Sequence, residues 1–300
     1  MIARKIRKLA LGGAQFGMHY GIANSIGQPS YSVVDQILRK ANEAGISLID
    51  TAQAYGDSEA MLGRALSKDA GIRVVTKTRP IRTSAIEKVD IEDTNDRFHA
   101  SLERLNRRKV YGLLVHDANN LLSIGGELLW DWMETAKADG KAEKIGVSVY
   151  SPDQLRKVLT RYPGIELVQL PFNIYDQRFV HSGLLDILKT RQIEIHSRSA
   201  FLQGLLLMEP ERLPAQFDVI RGRQADLHER LREQGLSPLA GALAICLDDP
   251  RIDIVVVGCD SVRQLEEIIA AAESHCPCSL GRFAILDESI INPSLWTDRR

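Results

Sequence analysis

Ile46-Ser47-Leu48-Ile49-Asp50-Thr51-Ala52-Gln53-Ala54-Tyr55-Gly56 runs from a short apolar stretch straight into a polar loop. A strand buried on both faces reads as a brief, nearly continuous apolar run. Such a run has no reason of its own to end in a carboxylate, yet this one ends at Asp50, with Tyr55 five residues on. The pattern recurs along the chain. The run 72–77 ends in Lys77 and the run 111–116 ends in His116. With 8–12, 144–149, 166–170, 193–198 and 252–258, eight such strands are predicted.

Between the strands the apolar period changes to that of a helix. Val33, Ile37, Leu38, Ala41 and Ala44 form one stripe, closed by Gly45. Phe98, Leu102 and Leu105 form another, and Leu121, Leu122, Leu128, Leu129 and Met133 a third, closed near Gly140. Ser151-Pro152 and Ser237-Pro238 are each an N-cap followed by a first-turn proline. Ser261 opens the last long helix, with Val262, Leu265, Ile268 and Ile269 on its stripe. Eight strand-helix units predict an α/β fold, a single-domain (β/α)₈ TIM barrel over 1–300. Residues 276–300 form a C-terminal tail without clear period. A doubly wound open sheet would carry a dinucleotide fingerprint after its first strand, and Gly12-Gly13-Ala14-Gln15-Phe16-Gly17 has the wrong glycine spacing for one.

Composition narrows the function classes. The chain has 300 residues, 44% hydrophobic and 26% charged, with a formal net charge of −1. That balance argues neither for nucleic acid nor for an anionic membrane. The basic run Arg4, Lys5, Arg7 and Lys8 leads into an apolar stretch too brief for a signal peptide. No run approaches the ~18 apolar residues of a membrane span, so the expectation is a cytoplasmic protein. Cys246, Cys259, Cys276 and Cys278 lack a second Cys or His pair at metal-binding spacing, so reduced thiols and no metal are expected.

In a barrel, the residues that end the strands face the catalytic rim. Taken singly, Asp50 reads as a helix cap, Tyr55 as packing, Lys77 as a surface lysine and His116 as a core histidine. Together on consecutive strand ends they fit one task. A phenol with an ordinary pKa near 10 is a poor proton donor at neutral pH, and an adjacent ammonium lowers that value. A carboxylate keeps the ammonium charged in a partly dry site, and a histidine can hydrogen-bond a substrate oxygen. The set suits protonation of a carbonyl oxygen while hydride reaches its carbon.

The stretch 50–56, followed by Ser58-Glu59 and Leu62-Gly63, resembles the signature of the aldo-keto reductases. Lys77 and His116 fall where that family places its other two catalytic groups. The resemblance covers 9–267 and implies a barrel that binds NADPH, or alternatively NADH, without a Rossmann domain. It implies that Tyr55 is the general acid, Lys77 tunes it, Asp50 holds Lys77 and His116 orients the carbonyl. It further places Gly13 and Ala14 beside the nicotinamide ribose and Ser148 and Gln169 on the carboxamide. Arg198 stands where many members stack an aromatic ring. Phe201, Gln203 and Gly204 lie in the segment that covers the pyrophosphate. Gly258 and the helix start with Ser261, Arg263 and Gln264 take the adenosine 2'-phosphate and adenine. Val149 and Ile268 replace asparagines common in the family.

The expected partner is a small-molecule carbonyl substrate, with neither nucleic acid nor membrane, and the oligomeric state is unknown. Arg82, Asn119 and Asn120 lean the substrate toward a polar or sugar-derived carbonyl. The loops 18–30, 119–125 and 201–208 and the region of Trp296 are expected to set specificity. A cofactor-binding regulatory module and an NAD-dependent sugar dehydrogenase are the competing readings.

Overall fold

Side chains of a strand point alternately to its two faces, and in this chain each parity meets a different environment. In a computed structural model, the described residues are 2–22, 24, 26–66, 71–276 and 279–296, with side chains described from residue 5 onward. The side chain of Arg4, Cys278 and tail residues 297–300 lie outside them. The strands are β1 (Leu9–Gly12), β2 (Leu48–Asp50), β3 (Arg73–Lys77), β4 (Val110–Val115), β5 (Ala142–Ser148), β6 (Leu167–Pro171), β7 (Glu194–Arg198) and β8 (Ile254–Val257). Each pairs in parallel with the next, and β1 pairs with β8, closing the (β/α)₈ barrel expected from the sequence.

One parity packs outward against the helices: Leu9, Leu11, Ile49, Val74, Leu113 and Val168 belong to the large outer core. The other fills the barrel, where Ala10, Leu48, Val75, Leu114, Leu167 and Val256 form an inner cluster. Two residues further along each strand, on the same face, stand Gly12, Asp50, Lys77, His116, Gln169 and Gly258. The polar residues noted in the sequence are therefore the next layer of the barrel interior, at the carboxyl ends of the strands. At the amino end, Glu194 ties three groups together. It accepts from Tyr111 Oη (2.6 Å), bonds His196 Nε2 (2.6 Å) and pairs with Lys144.

The helix starts follow their cap chemistry. Ser151, Ser237 and Ser261 each accept a hydrogen bond from the backbone N–H three residues on. The third apolar stripe is not one helix but two, Asn119–Leu122 and Gly126–Ala138. Gly125 breaks it with φ +78°, and a Cβ there would lie 2.0 Å from the Ile86 carbonyl oxygen. The basic run at the N-terminus falls in a helix, Ile2–Arg7, whose Lys5 pairs with Asp248 at 2.6 Å.

The long interval between β7 and β8 and the tail come together as a second core. Leu205, Phe217, Leu227 and Leu231 pack there with Phe283, Ile290 and Ile291, and the Trp296 ring contacts Phe217. No described helix is long and apolar enough to cross a membrane. Cys246 and Cys259 are buried thiols.

Candidate active site

Asp50 and Lys77 sit on neighbouring strands and inside the same layer. Lys77 Nζ donates to Asp50 Oδ2 at 2.6 Å and to the Thr51 carbonyl at 2.8 Å, with only 1% of the lysine side chain exposed. The other Asp50 oxygen accepts from Gln169 Nε2 at 2.7 Å, a bond across the barrel. Desolvating an ion pair is costly and is sustained only where further hydrogen bonds complete it. Burial pulls the Lys77 ammonium down from its ordinary range, and the Asp50 carboxylate opposes that pull.

Tyr55 reaches this pair from the loop after β2. Lys77 Nζ lies 5.1 Å from the centre of its ring, and the ring of His116 stands edge-on at 5.6 Å. A backbone contact fixes the loop. Gly56, at φ +51°, rests on Gly17, and a Cβ on Gly56 would come 2.2 Å from the Gly17 carbonyl oxygen. Ser58 and Glu59 of the signature are structural. The Ser58 hydroxyl meets Thr51 Oγ1 at 2.9 Å, and Glu59 binds Thr76 Oγ1 at 2.7 Å and Arg104 Nη2 at 2.7 Å.

The two hydrogen bonds of Lys77 Nζ go to Asp50 and Thr51, and its approach to Tyr55 is to the ring at 5.1 Å. Burial raises the pKa of the Tyr55 phenol above its ordinary value, as does the Asp50 carboxylate; the cation that counters them is Arg198. His116 is pushed the other way, to about 3, first by burial and then by Lys77, Arg198 and Arg82. At neutral pH the phenol holds its proton and the imidazole is uncharged.

A cavity of about 370 Å³ opens above the layer, within the usual range for small-molecule sites. Of the residues singled out in the sequence, it is lined by Gly13, Ala14, Asp50, Tyr55, His116, Ser148, Gln169, Arg198, Phe201, Gln203, Gly204, Gly258 and Gln264. Lys77 lies beneath it. Ser261 and Arg263 do not line it. The Ser261 hydroxyl is taken by the Gln264 N–H, and Arg263 pairs with Glu267 at 2.9 Å with 87% of its side chain exposed. Asn119 and Asn120 are also engaged elsewhere, with Gln154 and with the Ile81 backbone. Trp296 is likewise in the second core rather than at the cavity.

Sequence reasoning passed over Tyr150, Gln15 and Glu267, which line the cavity together with Tyr20 of the rim loop and Asp260 beside the expected phosphate position. Arg198 lies over the Tyr150 ring at 4.2 Å and donates to the Val149 carbonyl at 3.1 Å. It forms no ion pair among the described residues. The lone aromatics carried no motif, although Tyr20 lies in the 18–30 loop already expected at the rim.

The cavity fits a nicotinamide dinucleotide. Its lining includes Tyr55, Ser148 and Gln169, residues 201, 203 and 204, and Gly258 and Ile268. The Ser148 hydroxyl has no hydrogen-bond partner among the described residues, and Gln169, having given its amide N–H to Asp50, keeps its carbonyl oxygen. A hydroxyl and a carbonyl oxygen are the partners a carboxamide needs.

Comparison with known proteins agrees with this architecture. The sequence profile described as Aldo/keto reductase family matches residues 8–290. L-glyceraldehyde 3-phosphate reductase of Escherichia coli is 27% identical over 299 aligned residues, covering 86% of this chain and 84% of that protein. L-galactose dehydrogenase of Arabidopsis thaliana is 29% identical over 247, covering 78% and 76%. Among solved structures, the holo form of an aldo-keto reductase from Bacillus halodurans superposes with a TM-score of 0.72. It is 20% identical, over 92% of this chain and 89% of that one. Glycerol dehydrogenase from Gluconobacter oxydans gives 0.69 at 21% identity, over 90% and 87%.

Proposed function

The chain belongs to the aldo/keto reductase family, oxidoreductases that use NAD(P)H, and from that premise we propose that it reduces a small aldehyde or ketone to an alcohol with Tyr55 as the general acid. The observation that carries the reading is the buried Lys77–Asp50 pair directly below the Tyr55 ring, beside a neutral His116. The dinucleotide, when bound, supplies the hydride. Ser148 and Gln169 hold its carboxamide end.

Tyr55 keeps its proton until the carbonyl oxygen gains charge, then transfers it to that oxygen. Lys77 and Arg198 supply positive potential in a site shielded from water, where it acts on developing negative charge more strongly than in bulk solvent. His116, uncharged, donates one N–H to the carbonyl oxygen and fixes its direction. Burial raises the phenol's pKa and Arg198 opposes that rise, so Tyr55 is a reluctant acid made competent by its neighbours.

The expected NADPH rested on Ser261, Arg263 and Gln264, of which only Gln264 lines the cavity. The reaction itself is the same for NADPH and NADH. A small hydroxylated, sugar-derived carbonyl is the substrate class we favour. Tyr20, Asn24 and Tyr150 give the cavity hydrogen-bonding walls, and two relatives are named for a sugar or a sugar phosphate.

The test is a panel of aldehydes and ketones followed by oxidation of the reduced dinucleotide, with Tyr55→Phe as the paired variant. Removing a general acid should lower kcat by roughly 10²–10⁴-fold while dinucleotide affinity stays within about twofold. Turnover that survives Tyr55→Phe rules the mechanism out. Tight dinucleotide binding with no turnover on any carbonyl would instead mark a regulatory module.

A further inference from the structure

We infer that the far end of this cavity is built for an adenosine ribose with a free 2'-hydroxyl, so that NADH is taken in preference to NADPH, and that Asp260 makes the distinction. The inference rests on the dinucleotide reading above. It concerns only the end lined by Gly258, Asp260, Gln264, Glu267 and Ile268.

The first observation is the sign of the charges there. Two carboxylates, Asp260 and Glu267, line this end, and among the described residues the sole Lys or Arg on the cavity wall is Arg198, at the end beside Tyr55. Arg263, the basic residue nearest in sequence, points to solvent in an i,i+4 pair with Glu267. A 2'-phosphate would bring roughly −1.5 to −2 charges at pH 7 with no Lys or Arg on this part of the wall to meet them.

The second observation is the state of the helix start. Free N–H groups in the first turn make a helix N-terminus attractive to anions. Here two nearby donors are already satisfied by side chains. Gln264 Oε1 accepts from the Asp260 N–H at 2.7 Å, and Ser261 Oγ accepts from the Gln264 N–H at 3.2 Å. One first-turn N–H, that of Gln264, and the Asp260 N–H just before the turn are thus occupied by side chains.

The third is Asp260 itself. Its Oδ1 is buried with no hydrogen-bond partner among the described residues. An ionised carboxylate is a pure acceptor and needs donors, and a vicinal ribose diol offers two. Burial raises the Asp260 pKa and the charge of His19 lowers it; an ionised Asp260 repels a second anion placed beside it.

Equilibrium titration of the full chain with NADH and with NADPH, read by protein fluorescence at pH 8, tests the inference. That pH lies above the ordinary imidazole range, so histidine charge does not enter. NADH should bind about tenfold tighter or more, a gap typical of one misplaced charge. Asp260→Ser should narrow the ratio by about fivefold or more through tighter NADPH binding, and Arg263→Ala should leave it unchanged. A competition on the unaltered protein needs no folded variant: AMP should displace NADH more readily than adenosine 2',5'-bisphosphate does. NADPH binding as tightly as NADH, or a selective loss of NADPH binding in Arg263→Ala, overturns the inference while the reductase reading stands. Failure of both dinucleotides to bind overturns the reductase reading as well.

Discussion

His116 and Tyr55 share one cavity and are shifted in opposite directions by the same burial, which has a measurable consequence. With its pKa lowered to about 3, His116 is uncharged throughout the range in which the enzyme is assayed. Protonation would begin only as pH falls toward that value. The pH profile of kcat/KM should therefore show no inflection near 6.5 that disappears in His116→Gln; such an inflection would mean that the imidazole titrates normally. Lys77 offers a second test. Replacing it with alanine leaves Asp50 buried and held only by Gln169, and breaking a buried pair from one side costs about 3–5 kcal/mol. Denaturant unfolding of Lys77→Ala should show that loss, together with abolished turnover. These residues were legible in the sequence because a charge at the end of an apolar strand is conspicuous. The outward turn of Arg263 was not read, because the resemblance placed it on the cofactor and the Glu267 four residues on was not weighed against it. Tyr20 and Tyr150 were not legible, because an aromatic in a loop looks the same whether it lines a cavity or packs beneath one.

Loops and helix ends carry the next set of consequences. Gly56 and Gly17 touch backbone to backbone, so Tyr55 stands on a contact that admits no side chain. Gly56→Ala adds a Cβ where φ is +51° and the space is closed. The expected outcome is a kcat reduced at least about tenfold, with less effect on dinucleotide affinity; unaltered kcat would show that the loop adjusts freely. Ser237 acts only as a cap, accepting from the Ala240 N–H at 3.2 Å. Ser237→Ala should cost about 1 kcal/mol in stability and leave turnover alone, which thermal unfolding and steady-state rates read separately. Cap signals such as Ser-Pro could be read directly because the chemistry is local. The break at Gly125 could not, since leucines on either side continue one apolar stripe and only the approach of Ile86 reveals the turn.

Across the whole molecule, the barrel has a charged cluster at each end, with opposite uses. At the amino end Glu194, held by His196, Lys144 and Tyr111 against the penalty of burial, has its pKa lowered to about 2. A carboxylate ordinarily titrates near 4.3 when unfolded. Its contribution to stability is thus fully present above that value and is lost as pH falls toward 2. Glu194→Gln should be less stable at neutral pH yet lose less stability between about pH 5 and 2. Equal acid sensitivity in both proteins would show that the cluster does not set it. The barrel was legible because eight strands repeat one parity pattern. The second core was not, because the tail shows no period and only long-range packing joins it to the segment after β7.

The bond from Gln169 to Asp50 also orders events in time. Lys77 and Asp50 are 27 residues apart and lie on adjacent strands, whereas Gln169 is 119 residues from Asp50 and reaches it across the closed cylinder. Contacts between distant parts of a chain form late, since loop closure must precede them. The expected order in refolding is that the ion pair forms before its third member joins it. Until then the carboxamide-binding glutamine is absent from the site. Reductase turnover should return no earlier than the slowest phase of tryptophan fluorescence after dilution from denaturant; activity that recovers ahead of it would show that the site assembles before the cylinder closes.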